Sequence, residues 1–131
     1  MKTVIYTVLG GLALTGALAA NAGERYHGLL DDHGRPVTVT LSVPRTGAPD
    51  EQLGAVRFGE PWACGFDLEP LAIGATQSTY FLRGAAPGRC AALAAGYLQS
   101  NASGAGLQVE LFDRSNRAPG LYTLRLKAVA P

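Results

Sequence analysis

The chain has 131 residues, 47% of them hydrophobic and 16% charged, with 11 Lys+Arg against 10 Asp+Glu. That length holds one domain, and a charge so evenly balanced excludes the broad positive field that nucleic acid requires. Two histidines, His27 and His33, and a single pair of cysteines leave few groups for acid–base or metal chemistry near neutral pH.

Residues 1–22 carry Lys2, an apolar stretch from Val4 to Ala20, and small residues at Ala17-Leu18-Ala19 and Ala20-Asn21-Ala22. A positive start, an apolar middle and an Ala-x-Ala exit predict a secretory signal peptide. A permanent anchor needs about 20 apolar residues between polar stops. Here Gly10, Gly11, Thr15 and Gly16 dilute the run, so no stable membrane insertion is expected after cleavage. Residues 23–131 then form a single exported β domain, periplasmic or secreted. In an oxidising compartment the two cysteines, Cys64 and Cys90, are expected to form a disulfide.

Alternation every second residue dominates the rest. Val37, Val39, Leu41 and Val43 alternate with Thr38, Thr40 and Ser42, and the same beat runs through Leu107–Leu111 and Tyr122–Lys127. Each pattern puts one row on a core and one row in water. Strands are predicted near 25–30, 36–43, 53–59, 64–70, 77–83, 96–100, 107–113 and 121–129, separated by clusters of Gly, Pro, Asn and Asp. Ala91–Gly96 holds helix formers and no β-branched residue, which predicts a single helical turn after Cys90. The fold class is therefore all-β: an antiparallel meander of about eight strands, closed as a small barrel or stacked as a sandwich, and pinned by one disulfide. That disulfide would tie the connection between the fifth and sixth strands to the start of the fourth.

The run Gly54-Ala55-Val56-Arg57-Phe58, then Cys64-Gly65-Phe66-Asp67-Leu68, then Gly88-Arg89-Cys90, resembles a recurrent small β module. Such modules are found on the extracellular side of some actinobacterial serine/threonine kinases and as stand-alone exported bacterial proteins. Across residues 54–113 the resemblance implies the same fold and the same disulfide. It implies no activity.

Glu24, His27, Asp31, Asp32 and His33 form the densest polar group, but their spacing fits no metal-ligand pattern, and Asp-Asp-His-Gly reads as a tight turn. No serine lies in a Gly-x-Ser-x-Gly turn. Asp67 and Glu69 share one strand face at about 7 Å, a spacing that suits a glycosidase pair and equally a solvated outer face. No catalytic residue, metal or cofactor is expected. Binding has better candidates. Trp62 sits in a connection just before Cys64, where it supplies either a flat exposed surface or a plug for one end of the barrel. Arg83, Arg89, Arg114 and Arg117 would form a basic rim if their loops share an end. The loop 44–50, with Pro44, Gly47 and Pro49, is long and stiff enough to insert into a partner. The expected function is non-enzymatic binding of a protein or envelope component, with inhibition of a hydrolase or toxin as its specific form. The alternative is lipocalin-like carriage of a small apolar ligand. Interior volume discriminates between them.

Overall fold

The computed structural model describes residues 24–44, 53–84 and 87–129. The expected signal peptide and most of the loop 44–50 lie outside the described residues. Eight antiparallel strands close into a barrel in simple sequence order: β1 (Glu24–Asp32), β2 (Arg35–Val43), β3 (Gly54–Phe58), β4 (Cys64–Ile73), β5 (Gln77–Arg83), β6 (Tyr97–Ser103), β7 (Gly106–Phe112) and β8 (Tyr122–Ala128). The structure decides for the barrel over the sandwich, and a short 3₁₀ helix, Gly88–Leu93, supplies the helical turn around Cys90.

Alternation sets which side chains enter. On β2, Val37, Val39 and Leu41 are buried while Thr38 and Thr40 face out. Each strand contributes such a row, and Val56, Phe66, Leu68, Leu82, Leu98, Val109, Leu111 and Leu126 belong to one contiguous core. Eight strands enclose a space just wide enough for side chains to fill, and these large residues fill it. The seam between β1 and β8 pairs Gly28 with Leu126. A Cβ on Gly28 would stand 2.8 Å from Leu126 Cδ2, so the closing strands approach as they do because residue 28 has no side chain.

The hairpin joining β1 to β2 turns on His33 and Gly34, with φ of 54° and 90°. Two successive positive φ values make the hairpin turn whose twist matches the strands, and Gly34 N–H donates to Asp31 Oδ1 at 2.9 Å. The Asp-Asp-His-Gly segment is thus a turn, as its composition predicts.

A meander sends alternate connections to opposite ends. Residues 33–34, 59–63, 87–96 and 113–121 all lie at one end, together with the 3₁₀ helix; residues 74–76 and 104–105 lie at the other. The disulfide joins the first residue of β4, Cys64, to Cys90 in the 3₁₀ helix, with Cα atoms 6.2 Å apart. It ties the connection between β5 and β6 to the barrel wall.

Candidate functional site

Trp62 is 5% exposed and points into the barrel rather than outward. Its ring lies 5.0 Å from Phe58 and 5.4 Å, edge-on, from Tyr122. Together with Cys90 and Leu93 it plugs the end where the four connections gather. The flat exposed surface considered for Trp62 is therefore absent, because its apolar rings have more area to bury inside than on a short connection outside.

A buried indole N–H needs an acceptor, and Asp32 provides it. Trp62 Nε1 donates to Asp32 Oδ2 at 2.9 Å. Arg89 reaches the same oxygen at 3.1 Å, and His33 Nδ1 lies 3.0 Å from Oδ1. A carboxylate only accepts, so His33 Nδ1 carries the proton in that contact. Asp32 is the last residue of β1, on the inward side of the alternation, and its side chain is 1% exposed. The Trp62 hydrogen bond, then the His33 hydrogen bond and the Arg89 charge, hold its carboxyl below the ordinary aspartate value, against the burial that pushes it up. One carboxylate thus braces three of the four connections, and the disulfide binds the third of them covalently.

The four arginines expected to form a rim do share this end, since Arg83 closes β5 and the other three lie in its connections. They are not equally free. Arg89 is committed to Asp32, and Arg83 stands 3.8 Å from Glu69 on the outer wall. Among the described residues Arg114 and Arg117 pair with no carboxylate, and Leu121 in the same connection is exposed. An unforeseen participant is Arg57. Its guanidinium donates to Phe66 O at 2.9 Å, reaches Asp67 at 3.6 Å, and lies across Gly65, whose Cβ would meet Arg57 Cδ at 2.6 Å. Arg57, Gly65, Asp67 and Arg83 line an open cleft of about 490 Å³ on the outside of the barrel.

The carboxylates weighed for glycosidase chemistry, Asp67 and Glu69, face outward, each with an arginine beside it: Arg57 at 3.6 Å and Arg83 at 3.8 Å. His27 and Asp31 lie on the outer side of β1, exposed; Glu24 sits at the start of the strand, where its carboxylate accepts from the Tyr26 hydroxyl, and Asp31 accepts from Gly34 N–H at the turn, so the group does not converge on one point. Among the described residues no three His, Cys, Asp or Glu side chains are placed to hold a metal ion. No helix among them is long and apolar enough to cross a membrane.

No protein-family model matches the chain, and no curated protein or solved structure is similar enough to count as a relative.

Proposed function

We propose that this chain is an exported, non-enzymatic binding module that engages a protein or envelope component through the end of the barrel where its four connections converge. The observation that carries the reading is the brace itself. Asp32 and the Cys64–Cys90 disulfide hold separate connections in fixed relation, and a surface ordered before contact loses less freedom on binding. Arg114 and Arg117, which pair with no carboxylate among the described residues, and exposed Leu121 add cationic and apolar groups from the fourth connection, which Asp32 and the disulfide do not reach and which the Gly120 and Leu121 amides hold to β7. An acidic patch on the partner suits them, and inhibition of a hydrolase or toxin is the specific form such a module would take. The interior full of leucine, valine and aromatic side chains favours surface recognition over carriage of an apolar ligand.

The test is capture from envelope extract by immobilised protein at low and high ionic strength, alongside a double charge reversal, R114E/R117E. A partner retained by the native chain, released as salt shortens the screening length to about 3 Å at 1 M, and lost by the variant supports the reading. Retention untouched by the charge reversal, or no retained partner at all, overturns it.

A further inference from the structure

On the opposite outer wall, residues at wet positions of the alternation are aromatic. Phe81, Tyr97 and Phe112 stand side by side on β5, β6 and β7, outward, while their neighbours Leu82, Leu98 and Leu111 point in. Phe81 and Tyr97 meet edge to face at 5.8 Å, a contact that favours this orientation of the Tyr97 ring. Phe112 is buried although it faces away from the core, because the connection 113–121 folds back over the wall. Two hydrogen bonds hold that connection down: Gly120 N–H to Glu110 Oε2 at 2.7 Å and Leu121 N–H to Leu111 O at 2.7 Å. Asn116, with a left-handed φ of 54°, and Ala118 form the far lip.

The result is a cleft of about 240 Å³ lined by Thr79, Tyr97, Gln99, Phe112, Asn116 and Ala118. Its lining holds two aromatic rings, two amides and one hydroxyl, and no ionisable acid or base other than the Tyr97 phenol. The side chains of Thr79, Gln99 and Asn116 make no hydrogen bond to another of the described residues. Each amide offers a donor pair beside an acceptor, the arrangement that matches neighbouring hydroxyls on a ring. An aromatic face covers the C–H side of such a ring. The volume lies below the roughly 300–1,000 Å³ of pockets for drug-sized molecules, so it admits one ring, not an oligomer.

We propose that this cleft binds a single uncharged pyranose ring, as the terminal or exposed sugar of a glycan. Tyr97 takes the apolar face, with Phe112 adding only its uncovered edge, and Gln99, Asn116 and Thr79 take the hydroxyls. This site does not rest on the reading of the braced end; the connection 113–121 contributes to both, but with different residues and different chemistry.

The test is titration of the ¹⁵N-labelled protein with methyl β-glucoside and with methyl N-acetyl-β-glucosaminide, followed by amide resonances. Saturable shifts from at least one glycoside are expected at Tyr97, Gln99, Phe112 and Asn116, side-chain amides included, with the resonances of Arg57 and Arg83 unmoved. Tyr97→Ala and Gln99→Ala, both at outward positions, are each expected to weaken binding by about tenfold. Gln99→Ala keeps the test decisive if Tyr97→Ala disturbs the wall. Absence of shifts with both glycosides, shifts centred elsewhere, or shifts that survive both substitutions would overturn the site. A larger response to glucuronate at the same residues would overturn its preference for an uncharged ring.

Discussion

Trp62 Nε1 and Asp32 Oδ2 meet at 2.9 Å across thirty residues of chain. The contact links the end of β1 to the connection before β4, and neither partner has water to fall back on: Trp62 is 5% exposed and the Asp32 side chain 1%. Burial of such a pair is favourable only while both members are present. Trp62→Phe removes the donor but keeps most of the packing, and is expected to cost about 1–3 kcal/mol. Trp62→Ala also opens a cavity, and is expected to cost about 3–5 kcal/mol. Urea unfolding of the two variants beside the native chain measures both. A Trp62→Phe variant as stable as the native chain would show that the hydrogen bond contributes nothing beyond packing.

The same carboxylate makes stability depend on pH. Its folded pKa is lowered, chiefly by the Trp62 hydrogen bond. The stabilisation is therefore complete above the unfolded aspartate value of about 3.9 and is lost as pH falls through the lower folded value. Asp113 shifts the same way through its contacts with Ser115. Denaturation midpoints followed from pH 6 down to about 2 are expected to fall less steeply for Asp32→Asn than for the native chain, and Asp113→Asn separates the second contribution. An unchanged slope in Asp32→Asn would remove Asp32 from the account.

Reduction offers a third measurement. Cys64 and Cys90 are 26 residues apart in sequence, and loop-closure entropy for that separation corresponds to about 3.5 kcal/mol. Urea unfolding with and without reductant, together with the double substitution C64A/C90A, is expected to show a loss of roughly that size. Cys90 is fully buried, so the bond in the folded chain is expected to resist mild reductant and to open readily only once the chain is partly unfolded. Rapid reduction in the absence of denaturant would contradict the burial.

Much of this architecture is legible in the residues because two-residue periodicity reports directly on which side of a wall a side chain occupies. Val37, Val39 and Leu41 announce β2, and Leu107–Leu111 announces β7 within a residue of its observed start. Closure into a barrel is not legible that way, since a meander of eight strands serves a sandwich equally well; the seam depends on Gly28 meeting Leu126, a long-range relation. The same limit explains Asp32. Its neighbours Asp31, His33 and Gly34 identify a turn, but the turn says nothing of an indole arriving from residue 62. Arg89 reads as a free cation until that carboxylate is placed beside it. The aromatic wall was open to view: Tyr97 beside inward Leu98, and Phe112 beside inward Leu111, put aromatics where alternation calls for polar groups.

That wall depends on Gly120. Its amide binds Glu110 Oε2, and a Cβ there would stand 2.6 Å from both Glu110 Cγ and Leu111 O. The connection 113–121 lies against β7 only because residue 120 lacks a side chain. Gly120→Ala must either push the Glu110 side chain aside or lift the connection from the wall, and overcrowding of this kind costs about 1–3 kcal/mol. Lifting is the expected outcome, because Leu111 O belongs to the barrel backbone and cannot yield. Hydrogen exchange at Leu121, whose amide bonds Leu111 O, is then expected to accelerate while Leu98 and Val109 amides in the walls keep their protection. If Leu121 exchange is unchanged in the variant, the connection is held by something other than close approach at this glycine.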